Sequence, residues 1–281
     1  MGDFERIKKE FAKNKAVLIS LYFIGFLVLV ALVGSHLTPF TPDQIDYSLG
    51  GIPRGPSLSH PFGTDNYGRD ILSRSIYGTK VTLTVGVGAV LIFICVGTLL
   101  GAVSGYFGGF VDGIIMRIVD VMLSLPLLFF ILVIQSILPP SMLNVILVIG
   151  LTGWAGTCRL VRGQVLSVRE MTYVESARAV GASHWRIISR HVIPNVMAPV
   201  IVNATLGIAT TILLESVLSF LGFGVQEPLS SWGSMLHKAQ TYMTVAPWMV
   251  FFPGALIVLT VLAFNFLGDG LRDALDPRLK T

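Results

Sequence analysis

Apolar residues fall in six runs along this chain, and the stretches between them hold most of its charge. The runs cover about 16–37, 81–103, 118–138, 143–157, 196–221 and 249–267. Each is close to the roughly 20 residues that a bilayer core requires. The pattern predicts an all-α polytopic membrane protein with six transmembrane helices. Pro126 is expected to kink the third, and Pro139 and Pro140 to end it. Pro199 falls near the start of the fifth and Pro253 in the first turns of the sixth. Gly86, Gly88, Gly97 and Gly101 in the second permit close helix contact.

The stretch between the fourth and fifth runs has a different pattern. From Glu175 to Pro194 it reads ESARAVGASHWRIISRHVIP. Glu175, Arg178, Arg186, Arg190, His184 and His191 keep it out of a bilayer core. Val174, Ala177, Gly181, Trp185, Ile188 and Val192 recur at steps of three and four, an apolar stripe on a helix. Gly181 weakens that helix and lets a partner backbone come close. Pro194 biases Ile193 away from helical angles and so is expected to end the element. The expected shape is two short helices with a bend near Gly181, over about 174–192. On pattern alone this is a basic amphipathic segment of the kind that lies on lipid headgroups.

Composition agrees with a membrane protein. Of the 281 residues, 53% are apolar and 13% charged; a soluble domain carries about twice that charged share. The net charge of +4 is modest, and no basic run is interleaved with aromatics, so nucleic-acid binding is set aside. Cys95 and Cys158 lie in or beside apolar runs and imply neither a disulfide framework nor a metal site. The N-terminal Lys and Arg precede an apolar run too long for a signal peptide and with no small-residue cleavage site after it. With the start inside, fifteen Lys and Arg fall on the inner side and five on the outer. That split agrees with the positive-inside rule and puts both termini in the cytoplasm of a cell-membrane protein. Four of the five outer cations sit in the first outer loop, the weak point of this topology.

Several polar groups lie inside or beside the runs. Glu215 is near the outer end of the fifth, and an intramembrane carboxylate is by default a functional candidate. Asn203, Thr205, Thr210 and Thr211 are on the same run and can line a polar path. The alternative is that Glu215 caps or pairs locally and meets no substrate. Arg117 and Asp120 are one turn apart, as in a local ion pair. Asp65 and Asp70 are suited to capping, while Ile71, Leu72 and Ile76 suit a short surface helix. Ser183 and His184 are adjacent, a poor geometry for a nucleophile and its base. A secondary transporter would want paired ionisable groups at the midplane, which Glu215 alone does not supply.

The segment with Glu175-Ser-Ala177, then Gly181, then Ile193-Pro194 resembles the EAA loop of permeases of ATP-binding-cassette (ABC) importers. Ser176 stands where alanine is commoner. Phe62-Gly-Thr-Asp65, Gly68-Arg-Asp70 and Leu72-Ser-Arg74 resemble a hallmark of the C-type subunits of dipeptide and oligopeptide importers, a family that includes nickel transporters. The segment around Ser231-Trp-Gly233 and the ending FLGDGLRDALDPR are similar to the same family. The resemblance implies a first helix and outer loop over 1–80, a permease core over 81–275 and a cytoplasmic tail over 276–281. It implies that 174–192 is a coupling helix docking on a cytosolic ATPase through Glu175, Ala177, Gly181, Trp185, Arg186, Ile193 and Pro194. It also implies a second permease subunit of the B type, two ATPase subunits that hold ATP and Mg, and an extracytoplasmic solute-binding protein. Peptides are the expected substrate, with nickel or another small solute as the alternative. The sequence shows no G-x-x-x-x-G-K-[ST] loop of its own. The chain is therefore expected to be a transport subunit without enzymatic chemistry or a cofactor, in contact with membrane lipid. Asn203, Thr210, Thr211 and Glu215 are its candidate pathway residues.

Overall fold

In the computed structural model, residues 11, 14–38, 40–46 and 51–275 are described. The N-terminal basic residues Arg6, Lys8, Lys9 and Lys13, and the tail 276–281, lie outside them. Every regular element among the described residues is helical. They are α1 (Lys15–Leu37), α2 (Ile71–Phe107), α3 (Gly109–Ser124), α4 (Leu127–Ile137) and α5 (Met142–Val168). Then follow α6 (Thr172–Ala179), α7 (His184–Ile187), a π turn (Ile188–Val192), α8 (Ile193–Phe220), α9 (Trp232–Ala239) and α10 (Trp248–Leu275). Five helices are long and apolar enough to cross a membrane, six if the bent pair of α3 and α4 counts as one span.

The centre of the bundle is the α2–α5 seam, and sequence dictates how tight it is. Gly97, Gly101 and Gly105 recur every four residues, so they stack along one face of α2. A Cβ at Gly97 would sit 2.6 Å from the Thr157 Cβ, at Gly101 2.6 Å from the Cys158 carbonyl oxygen, and at Gly105 2.8 Å from the Val165 Cβ. Only hydrogen fits there, and the two backbones meet as small residues allow in membrane helices. Gly86 faces Ile212 of α8 in the same way, at 3.0 Å. α10 lies against α8 and α1.

The bounds differ from the apolar runs in several places. α2 begins at Ile71 and passes through position 80, because Asp70 caps it: the Asp70 carboxylate accepts from the Ser73 amide at 2.7 Å. Ile71, Leu72 and Ile76 are therefore the first turns of a 37-residue helix, not a separate surface helix. α5 likewise continues past position 157 to Val168. Residues 109–117 are helical, not a loop, and the third run is not one kinked span. It breaks at Leu125–Pro126 with an 87° bend between α3 and α4. Proline removes the amide that would bridge the break, and Leu125 before it takes an extended conformation. The local pair expected for Asp120 is also replaced: its carboxylate meets Arg159 on α5.

At one end of the bundle the loops form a cap. Phe62 stacks on Phe252 at 3.9 Å, and the Trp248 indole donates to the Thr64 carbonyl at 3.2 Å. Gly63 between them has φ +77°, and a Cβ would lie 2.6 Å from the Arg54 carbonyl oxygen. Trp232 lies between the fifth and sixth apolar runs. It is wholly buried, and its indole donates to the Ser75 carbonyl at 3.0 Å, so α9 plugs into the start of α2.

Candidate functional site

The opposite end of the bundle carries α6, α7 and the π turn. The chain folds back there because its two short helices are anchored from below. Val174, Ile187, Ile188 and Val192 are buried together against Tyr106 of α2 and Val161 and Val165 of α5. The Tyr106 hydroxyl and His184 Nδ1 are 3.0 Å apart, and the Arg178 guanidinium lies 5.7 Å from the Tyr106 ring centre. That contact ties the His184 ring, through Nδ1, to α2.

Gly181 sets the bend. The Ala182 amide donates to the Ala177 carbonyl at 3.1 Å and the Gly181 amide to the Arg178 carbonyl at 3.0 Å. This is the paired closure of a Schellman motif, which needs a left-handed residue at its centre. Gly181 supplies it with φ +80°. Nothing lies within 4 Å of a Cβ built there, so the glycine serves backbone conformation and not a close approach within this chain.

The turn also resets the helical register. The expected stripe holds at Val174, Ala177, Ile188 and Val192, which face the bundle, but Gly181 and Trp185 do not. Trp185 is 64% exposed and Val180 88% exposed. Glu175, Arg178, Arg186 and Arg190 are exposed around them. Ile193 is partly buried in the anchor. Pro194 does not end the element: Ile193 is helical (φ −54°, ψ −48°), and Pro194 sits in the first turn of α8. The missing proline amide is absorbed by the wider turn at 188–192, where the Ile193 amide reaches back to the Ile188 carbonyl. His184 to Phe220 is thus one rod of 37 residues.

Two clefts adjoin the rod. A cavity of ≈ 240 Å³ is lined by Asn203, Thr210 and Thr211 of α8 together with Phe93, Gly153 and Thr157. The Asn203 amide donates to Thr157 Oγ1 at 2.9 Å. A larger cleft of ≈ 630 Å³ shares Asn203 and Leu206 with it and opens toward the α6 end. Thr205 turns its hydroxyl back to the Ile201 carbonyl. Glu215 lines neither. It is fully buried, and its Oε1 accepts from Ser219 at 2.7 Å. Ser231, which caps α9, bonds Ser219 in turn at 3.3 Å, so Glu215 ties α8 to the cap.

Sequence reasoning passed over an ion cluster in the cap. Glu227 Oε1 lies 2.6 Å from Arg69 Nη1, 2.7 Å from Lys238 Nζ and 3.7 Å from Arg74 Nη2. Partial burial works against the Glu227 charge. Hydrogen bonds from Lys238 and Arg69 outweigh it and hold the carboxyl down at about 2. Asp65 receives the Arg69 amide and, at 2.7 Å, its Nε. The signal was the string Asp65, Arg69, Asp70, Arg74: charges spaced four and five apart in a loop that must fold on itself.

Comparison with known proteins decides what kind of chain this is. Residues 97–281 match the model of a family described as binding-protein-dependent transport system inner membrane component. The chain belongs to that family. Residues 4–51 match the N-terminal TM domain of oligopeptide transport permease C. The chain is 40% identical over 273 residues to the oligopeptide transport system permease protein OppC of Haemophilus influenzae, covering 96% of this chain and 87% of the relative. It is 42% identical to the dipeptide transport system permease protein DppC of Alkalihalophilus pseudofirmus, covering 97% and 89%. It is 39% identical to the glutathione transport system permease protein GsiD of Pectobacterium atrosepticum, covering 97% and 90%. The chain is therefore a multi-pass membrane permease component. The α6–α7 surface and, Phe93 apart, the clefts along α8 lie within the part that matches the family model.

Proposed function

We propose that this permease is one half of the translocation pathway of an ATP-driven peptide importer. Its α6–α7 surface docks a cytosolic ATPase, and the clefts along α8 form the path. The observation that carries the reading is the exposed Val180–Trp185 pair, held out over a buried anchor and ringed by Glu175, Arg178 and Arg186. Such an apolar centre with a charged rim is how a few residues carry an interface. The same rod that begins under Trp185 lines the path with Asn203, Thr210 and Thr211. Partners are a second, related permease, two ATPase subunits that hold ATP and Mg, and an extracytoplasmic binding protein. The α6 end and both termini face the cytoplasm, and the cap faces the binding protein. ATP closes the ATPase pair, the docked surfaces move, and the path between two permeases turns from outside to inside. Peptides are the substrate that the relatives' names support.

Truncating Trp185 tests the docking. Trp185→Ala and Glu175→Lys leave every buried contact of the anchor in place, so membrane levels should stay normal. Loss of a central aromatic typically costs an interface about 2 kcal/mol or more. The ATPase should then be lost from co-purification, and uptake into vesicles should fall with it. Full retention of the ATPase together with wild-type uptake in both variants would return the segment to a helix that rests on lipid headgroups.

A further inference from the structure

The larger cleft, ≈ 630 Å³ between α5, α8 and α10, has a wall of unusual chemistry. Its polar side chains are Gln164 of α5, Asn195 and Asn203 of α8, and Arg272 from the last turns of α10. Among the described residues that line it, Arg272 is the one ionisable group. The rest of the wall is apolar, with Leu160 and Leu206 among it.

Two of the amides are already oriented. Asn195 Nδ2 donates to the His191 carbonyl at 2.7 Å, and Asn203 Nδ2 donates to Thr157 Oγ1 at 2.9 Å. Those bonds fix the direction of each carboxamide and leave its Oδ1 as an acceptor. Pro199 adds another. It lies inside α8, in the same wall, and has no amide to give the Asn195 carbonyl one turn before it. The α8 side of the wall thus carries acceptors at Asn195 and Asn203 and in the turn before Pro199, while Gln164 of α5 and Arg272 of α10 line its other sides.

That order of groups fits one kind of guest: a chain of amides ending in a free carboxylate. Main-chain N–H groups meet the α8 acceptors, and main-chain carbonyls meet Gln164. The terminal carboxylate meets Arg272, whose planar fork matches it in two parallel bonds. We propose that this cleft is a station for such a chain, with Arg272 as the residue that selects a free carboxylate and so places that end toward the α6 side. The inference rests on the importer reading and adds to it a residue that discriminates between substrates. A guest whose carboxylate is blocked as an amide loses the charge-assisted bonds, and a free metal cation is repelled by the same guanidinium.

The test uses the complete transporter in nanodiscs, without nucleotide and without the binding protein, so that no other subunit selects. Cys95→Ser removes the exposed thiol, while Cys158 is buried and unreactive. Ala198→Cys then places a reporter in the cleft wall. Its rate of labelling by a maleimide is measured with trialanine or with trialanine amide present. Trialanine at twice its Kd should slow labelling about threefold, since protection scales as 1 + [L]/Kd. Trialanine amide at the same concentration should leave the rate nearly unchanged. In Arg272→Gln the two compounds should act alike. Equal protection by both compounds in the parent, no protection by either, or discrimination that survives Arg272→Gln overturns the proposal. Uptake of trialanine by ATP-loaded vesicles, with the binding protein supplied outside, is scored separately. Loss of protection with intact uptake sinks this station alone, and absent uptake sinks the importer reading.

Discussion

At Gly181 a single hydrogen in place of a side chain decides the shape of the α6–α7 surface. The left-handed conformation costs an L-residue about 1–2 kcal/mol, and here it is enforced by two hydrogen bonds across the bend. Gly181→Ala should therefore tilt Trp185 or fray α6, lowering ATPase retention, while Gly181→Asn, which tolerates the conformation, should retain more of it. Co-purification of the ATPase from matched membranes ranks the three proteins, and an alanine variant indistinguishable from the parent would refute the ordering. Glu227 in the cap gives a second test at this scale. Its carboxyl is depressed to about 2 from an ordinary 4.5. A depressed acid contributes stability that is complete above its unfolded value and is lost as pH falls through its folded one. Protection of the amides in residues 222–247, taken relative to their intrinsic exchange rates at each pH, should stay flat from neutral pH down to about 4.5 and fall between there and about 2. In Glu227→Gln the protection should already be reduced at neutral pH, with a smaller further change on acidification.

Helix α2 and its neighbour α5 carry the consequence of close packing. Gly101→Leu forces a branched side chain where a Cβ alone would sit 2.6 Å from a carbonyl oxygen. Overpacking a fitted contact costs typically 1–3 kcal/mol, and separating two helices by a side chain falls at or above the top of about that range. The variant should lower the midpoint of thermal unfolding in detergent, and Gly113→Leu, at a position open to its surroundings, should lower it far less. Most of the helices were legible in the sequence because apolar runs of bilayer length admit few other structures. Their ends were less so. Asp70 reads equally as a cap of a long helix and as a loop residue until Ser73 is seen to turn toward it. Proline was legible as a disturbance but not as an outcome. Pro126 breaks a span, Pro199 is carried inside one, and Pro194 is absorbed by a wider turn, because each answer depends on what holds the flanking residues. Trp185 was read onto the wrong face, and the burial of Trp232 went unread, for a related reason. Periodicity places a side chain on a face of its own helix, and says nothing of what a reset of register or a neighbouring loop does to that face.

Across the whole molecule the two ends are joined by one rigid piece. The 37-residue rod from His184 to Phe220 starts beneath Trp185 and finishes beside Ser219, where Glu215 and Ser231 fasten it to the cap. At 1.5 Å per residue it is about 55 Å long. On the docking proposed above it acts as a lever with its handle at the α6 surface. A pivot of only about 5° at that handle sweeps the far tip through an arc of about 5 Å, using the same length. Asn203, Thr210 and Thr211 ride at intermediate radii and move in proportion to their distance from the pivot. On the docking proposed above, a tilt smaller than one helical turn at one end of the rod becomes a displacement wide enough to pass or refuse a small molecule at the other.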